Sequence, residues 1–357
     1  MNKKIRVVVI GIGQMGTSHA RAYYNIEGFE LTGLVDTKAD KRSQVAAELG
    51  GVAQFTDLEE AIAATHPQAV AVCTYPDTHK QFIMQSLETG AHVFAEKPLA
   101  ETVKDAEDII RTARKKSRKI VVGYILRQHP VWMRFIDLAR QLGKPLVMRM
   151  NLNQQSKGSA WQIHKNLMRS MSPIVDCGVH YVDVMCQMTR SQPVQVQAIG
   201  ARLTDEIRSE MYNYGNLQVR FADGSVGWYE AGWGPMMSET AYFVKDVIGP
   251  NGSVSIVEPG MIRNIASADI DGHTKTNRLL LHHSGLDDQG SFLRQDEIFD
   301  SRDEPDHQEL CNREQRYFLK SIQEDLDLNE HWQDAVNSLR IVLAADRSVH
   351  TGKTVKL

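Results

Sequence analysis

The chain has 357 residues and an apolar share of 42%, more than one core usually organises and ordinary for a water-soluble globule, so two domains are expected. A formal net charge of −3 gives no long-range attraction to nucleic acid, and no stretch reaches the roughly eighteen apolar residues that read as a membrane span. Cys73, Cys177, Cys186 and Cys311 are scattered without a C-x-x-C pair, which argues against a disulfide framework and fits a reducing cytoplasm.

Lys3, Lys4 and Arg6 precede apolar residues, but the run stops at Ile10, too short for the apolar stretch of a secretion signal. Ile5–Ile10 reads instead as a buried strand. It runs into Gly11-Ile12-Gly13-Gln14-Met15-Gly16 and then a helix carrying Thr17, Ala20, Ala22 and Tyr23. In this strand–turn–helix setting Gly11 permits the tight turn, Gly13 lets the backbone approach a pyrophosphate, and Gly16 lets the helix pack on the strand. The anion would rest on the helix N-terminus, where free N–H groups and the helix dipole favour it.

Asp36 closes a second strand, Glu30–Val35, where a carboxylate can accept hydrogen bonds from the adenosine ribose hydroxyls. The same carboxylate repels a 2′-phosphate, at about 4 Å and an effective dielectric near 20 by on the order of 4 kcal/mol per unit charge. NAD is therefore expected over NADP. Lys38 and Lys41 lie close enough in sequence to soften the preference, so NADP stays possible.

Further along, helices are predicted over Asp40–Leu49, Asp57–Ala64, Thr78–Glu88 and Val103–Lys116, and strands over Ala69–Cys73, His92–Ala95 and Ile120–Val122. The basic run Arg111–Lys119 reads as a solvated helix end. Near-continuous apolar strands separated by helices indicate a parallel sheet covered on both faces. Residues 1–123 are thus expected to form a doubly wound α/β domain, with its ligands at the carboxyl ends of the strands. At one such end stands Ala95-Glu96-Lys97-Pro98. A lysine there points at the ligand crevice, and the proline fixes the turn, a cis bond being one way to do so. Taken alone, the triplet is also a common surface turn.

Residues 124–357 read as an α+β domain with a largely antiparallel open sheet. Leu217, Val219 and Phe221 alternate with polar residues up to Asp223-Gly224, and Val226, Trp228 and Glu230 follow that turn. Pro250-Asn251-Gly252 signals a hairpin joining Phe243–Ile248 with Val254–Val257. Ser284–Asp306 reads as a loop, His282-His283 as a surface loop pair, and Trp161, Gln162 and His164 as part of a polar loop. Helices over Gln308–Glu324 and His331–His350 close the chain and are free to pack back on the first domain. No zinc-ligand spacing stands out, and no metal is expected.

Asp176-Cys177-Gly178-Val179-His180 opens an apolar helix. Asp176 and His180, four apart, would share a face, and Gly178 lowers helix stability by about 1 kcal/mol relative to alanine, which suggests a close approach to the backbone. A capping Asp and a core histidine explain the pair as well.

Together the G-I-G-Q-M-G turn, Glu96-Lys97-Pro98 and Asp176-x-Gly178-x-His180 resemble the three motifs of the glucose-fructose oxidoreductase, inositol dehydrogenase and rhizopine catabolism (Gfo/Idh/MocA) family, in order and at similar spacing along the whole chain. The resemblance implies a Rossmann domain binding NAD through Gly11, Gly13, Gln14, Met15, Gly16, Asp36, Glu96 and Lys97, with Thr74, Tyr75, Pro76 and His79 along the cofactor. It implies catalytic roles for Lys97, Asp176 and His180 and a sugar or cyclitol substrate. It also implies a homodimer or homotetramer joined through the second-domain sheet. Arg127, after the sixth strand, could reach substrate or form a salt bridge, and Trp161 could wall the pocket. Chemically the three catalytic residues suit oxidation of an alcohol, with His180 as base, Lys97 on the reacting oxygen and Asp176 orienting. Variants that recycle a bound cofactor, as glycosidases or sugar-to-sugar oxidoreductases, carry the same motifs. A non-catalytic NAD-sensing protein would not require them.

Overall fold

Apolar strands too buried for either face to meet water fix the first sheet. In chain order its elements are β1 (Ile5–Ile10), α1 (Gln14–Asn25), β2 (Phe29–Val35), α2 (Ala39–Glu48), β3 (Gln54–Phe55), α3 (Leu58–Thr65), β4 (Ala69–Val72), α4 (Pro76–Glu88), β5 (His92–Ala95), α5 (Val103–Lys116) and β6 (Ile120–Val122). The strands are all parallel, in the order β3-β2-β1-β4-β5-β6, the doubly wound Rossmann order. β3, only two residues long, carries too little pattern to be read from sequence. The basic run falls partly in the last turn of α5, where Arg114, Lys115 and Lys116 complement the helix dipole.

Continuing along the chain come α6 (Pro130–Gln141), β7 (Val147–Gln155), α7 (Gly158–Leu167), α8 (Pro173–Asp176), α9 (Gly178–Thr189), β8 (Pro193–Ala201), β9 (Tyr214–Phe221), β10 (Val226–Gly234), β11 (Lys245–Gly249), β12 (Gly252–Val257), β13 (Arg278–His283), β14 (Glu297–Asp300), α10 (His307–Gln323), α11 (Asn329–Thr351) and β15 (Val355–Lys356). This computed structural model describes residues 4–238, 244–257, 274, 276–300 and 304–357. The chain divides into two units, 1–125 with 306–336 and 126–305 with 337–357.

In the first unit α10 returns to lie on α1. Its buried face carries Leu310, Cys311, Gln315 and Phe318, and the Phe318 ring sits 6.2 Å from those of Phe29 and Phe94. Residues 306–336 therefore count with the nucleotide-type sheet, the packing back of a closing helix that the reading of 124–357 allowed.

The second unit holds a nine-stranded sheet in the order β14-β13-β12-β11-β7-β10-β9-β8-β15. It is antiparallel except where β7 and β10 run parallel. Asp223-Gly224 turns the β9–β10 hairpin with Gly224 at φ +85°, and Pro250-Asn251 joins β11 to β12. Phe243, expected in the first arm of that second hairpin, lies outside the described residues. Leu217, Val219 and Phe221 face the helices that cover one side of the sheet. Val226, Trp228 and Glu230 face the other side, where Val147, Ile199 and Ile248 are also exposed. Two loop readings are corrected. Glu297–Asp300 pairs with β13 as an edge strand, and His282 and His283 lie on β13, each against a carboxylate: His282 Nδ1 is 2.8 Å from Asp296 and His283 Nε2 is 2.7 Å from Glu297. Only pairing across the strands reveals this.

Candidate active site

The parallel sheet reverses its winding between β1 and β4, and β1 runs there into the glycine turn. Gly11 sits at φ +86°, and a Cβ on it would stand 2.6 Å from the Cys73 carbonyl oxygen. A Cβ on Gly16 would stand 1.8 Å from the Gly11 carbonyl oxygen. Neither position admits a side chain. At Gly13 nothing lies within 4 Å of the Cβ position, so the missing side chain keeps a cradle open. There α1 begins, without a capping side chain or an acidic residue in its first turn, leaving N–H groups and a positive dipole end for an anion. Exposed Gln14 and half-buried Met15 form that first turn. The turn fits a dinucleotide pyrophosphate.

Asp36 follows the end of β2. Its Oδ2 accepts the Ile12 N–H at 2.7 Å and its Oδ1 the Lys38 N–H at 2.8 Å. A carboxylate oxygen has a second lone pair, so both remain able to accept from ribose hydroxyls while the two amides hold the carboxylate toward the turn. Lys38 and Lys41, the cations nearest in sequence, are both exposed, and it is Arg42 whose guanidinium donates to the Asp36 carbonyl oxygen. Arg42 stands one helical turn past Lys38, a spacing visible only once α2 is placed.

Beyond β4, Thr78 Oγ1 donates to Thr74 Oγ1 at 2.7 Å, Tyr75 is exposed, and Pro76 begins α4. His79 is buried with Nε2 3.0 Å from the Thr74 carbonyl and Nδ1 2.8 Å from the Pro98 carbonyl. Burial lowers its pKa below the ordinary histidine value, against the pull of those carbonyls. His79 therefore braces the turn after β4 to the turn after β5, and its ring nitrogens are engaged by protein.

At the end of β5, Glu96 is buried. Against the desolvation that would raise it, the His19 imidazole at 2.7 Å keeps the Glu96 carboxyl below the usual range. Gln315 Nε2 donates to the other His19 nitrogen at 2.9 Å. No spacing in the sequence points to this network, because its members come from α1, β5 and α10. Lys97 is half-buried, its N–H donates to Glu96 Oε2 at 3.2 Å, and the Lys97–Pro98 peptide is cis.

The second unit carries Asp176 and His180. They do not share one uninterrupted helix: Asp176 ends α8, and His180 lies in the first turn of α9, with Cys177 between them at φ −86° and ψ −35°. Asp176 is half-buried and His180 buried. The close approach at Gly178 comes from protein, since a Cβ there would stand 3.1 Å from the Tyr229 ring and 3.3 Å from Val342. Lys97 thus belongs to one unit and Asp176 and His180 to the other.

Of the two alternatives read for Arg127 the salt bridge is the one present, and the expected polar loop around Trp161 is a helix. Arg127 makes a bidentate pair with Asp183 of α9, at 2.6 and 2.8 Å, with side-chain exposures of 13% and 1%. Gln187 Nε2 donates to the same carboxylate at 3.0 Å. Trp161 and His164 lie on α7, not in a loop, because their spacing of three buries both on one helical side. Trp161 Nε1 donates to Glu206 at 3.2 Å; His164 stacks on Trp233, and burial pushes its pKa down to about 4, so it is neutral at neutral pH. Removing Arg127 would leave a buried charge without its partner. Arg127→Ala is expected to lower stability by about 3–5 kcal/mol in denaturant unfolding. A loss below about 1 kcal/mol, the value of an exposed pair, would refute this structural role.

Two family models match the chain: "Oxidoreductase family, NAD-binding Rossmann fold" over residues 5–124, and the GFO/IDH/MocA C-terminal domain over residues 137–255. The chain belongs to the GFO/IDH/MocA family and is an NAD-binding oxidoreductase. It is 26% identical over 269 residues to scyllo-inositol 2-dehydrogenase (NAD(+)) of Bacillus subtilis, covering 72% of this chain and 75% of that one. It is also 26% identical over 236 residues to 4-carboxy-2-hydroxymuconate-6-semialdehyde dehydrogenase of a Sphingobium species, covering 62% and 74%. The crystal structure of myo-inositol 2-dehydrogenase from Lactobacillus plantarum superposes with a TM-score of 0.78 at 19% identity, over 99% of this chain and 100% of that one.

Proposed function

We propose that the protein is an NAD-dependent dehydrogenase that oxidises a secondary hydroxyl of a cyclic polyol or sugar. The observation that carries this reading is the open cradle at Gly13 on a sheet that also presents Lys97 at the carboxyl end of β5. Relatives named as inositol dehydrogenases support the substrate class.

When bound, NAD supplies the hydride acceptor. The chain's own residues handle the alcohol. His180 takes the hydroxyl proton, a task suited to an imidazole near neutral pH. Lys97 hydrogen-bonds the reacting oxygen and stabilises the negative charge that develops on it. Asp176 orients the substrate or the imidazole. A second copy of the chain covers the open sheet face around Val147, Ile199 and Ile248, and the four free cysteines fit a reducing cytoplasm.

The test is a panel of inositols, aldopyranoses and glycosides incubated with NAD, with reduced nicotinamide and products both followed. NADH formation with a ketone product is expected. Product without NADH would replace this reading with internal redox recycling, and neither signal across the panel would overturn it. Asp36 also sets a cofactor prediction: NAD should bind at least about tenfold more tightly than NADP, and Asp36→Ala should narrow the gap. Equal affinities in the parent protein would refute the assignment.

A further inference from the structure

Behind Glu96, in the first unit, a group of buried polar side chains has no role in the proposed chemistry. His19 of α1 and Cys311 and Glu314 of α10 are buried, and their donor atoms all lie within 4.8 Å of one another. Both Glu314 oxygens lack a hydrogen-bond partner, and so do the neighbouring Gln315 Oε1 and the buried Tyr23 hydroxyl. Burying a carboxylate with nothing to compensate it is among the most unfavourable arrangements in a protein interior.

We propose that His19, Cys311 and Glu314 bind a divalent cation of the zinc type, with His307 as the fourth donor. The donor chemistry points to this class: thiolate, imidazole and carboxylate together select zinc over magnesium or calcium, which prefer oxygen alone. His307, Cys311 and Glu314 are spaced i, i+4 and i+7 and project from one side of α10, and His307 Nε2 is 3.5 Å from the Cys311 sulfur. His19 meets this face from α1. Its Nε2–H is directed to Glu96, the carboxylate behind a ligating imidazole that metal sites commonly have, while Nδ1 exchanges the Gln315 amide for the ion. Bond lengths of about 2.0–2.3 Å put tetrahedral ligands about 3.5 Å apart, so the His19, Cys311 and Glu314 donors close in by roughly an ångström, and His307 turns in from beside the Cys311 sulfur to complete the set. The ion would tie α10 to the glycine-turn helix and leave Lys97 outside its coordination sphere.

The test uses the full-length protein, stripped with a chelator, reloaded with zinc or cobalt and passed over a desalting column. About one equivalent of zinc per chain is expected, with a melting temperature that falls on stripping and returns on reloading. The cobalt form should show a near-ultraviolet thiolate charge-transfer band. Cys311→Ser should abolish that band, and Glu314→Gln should lower retention about tenfold or more. If a variant fails to fold, the parent's cobalt spectrum decides alone: no thiolate band overturns the site. Retention below a tenth of an equivalent would also overturn it, leaving Glu314 as a buried neutral acid. So would zinc that remains in Cys311→Ser and is lost in a His282→Asn, His283→Asn double variant.

Discussion

Lys97→Met is expected to fold and to retain NAD binding through the glycine turn and Asp36, while its turnover falls by about a hundred- to thousandfold. Methionine preserves most of the length and the apolar stem of lysine, and the turn that presents the residue is held by other groups. The Lys97 N–H reaches Glu96 through its backbone, and His79 lies against the Pro98 carbonyl. What the substitution removes is the ammonium. In a site with little water, one donor aimed at a developing alkoxide is worth about 2.7–4 kcal/mol of transition-state stabilisation. Because that stabilisation belongs to the transition state, the loss should appear in kcat and kcat/KM alike, with KM little changed. Calorimetry for NAD, a thermal melt and steady-state kinetics on the best substrate check the three parts. A folded, NAD-binding variant that turns over within a few-fold of the parent would return Lys97 to the ordinary surface turn that its triplet resembles in isolation.

The parts of the fold legible in sequence are those whose cause is local. β1, the glycine turn, α1 and β2 can be read because a buried strand, three constrained glycines and an acid at the next strand end each leave a mark within forty residues. The expected bounds Val103–Lys116 and Ile120–Val122 coincide with α5 and β6, and in the structure the Thr102 side chain caps α5 while basic residues fill its last turn. Where contact across the chain decides, the sequence is silent. The Arg127–Asp183 pair joins residues 56 apart, and His19 meets Gln315 across 296 positions. β14 sets Ile298 and Phe299 between Glu297 and Asp300 over only four residues and becomes a strand by pairing with β13, which β12 holds on its other side. Asp176 and His180 could be seen as an i,i+4 pair, but the change of helix at Cys177 could not, because Cys177 keeps helical dihedral angles and no proline or capping residue marks the junction.

His180→Ala is expected to leave folding and NAD binding nearly unchanged and to lower turnover by about a hundredfold or more, the usual contribution of a positioned acid or base. A side chain lost from the first turn of α9 leaves a space but no broken cap, since α9 is entered from Cys177 without a side-chain capping bond. Close packing also holds this turn at Gly178, against Tyr229 and Val342. Stability should therefore fall less than turnover. A base also leaves a signature that packing cannot imitate. The parent's rate should rise with pH as the base loses its proton, and this limb should be missing from the variant's profile, while rates at high pH recover in part as hydroxide concentration grows. His180→Gln keeps polarity and approximate volume but cannot accept and release the proton, so it should follow the alanine variant in turnover and the parent in stability. If both variants retained the parent's pH limb and turned over within a few-fold of it, His180 would be a core residue of α9, and the proton would have to leave through another group.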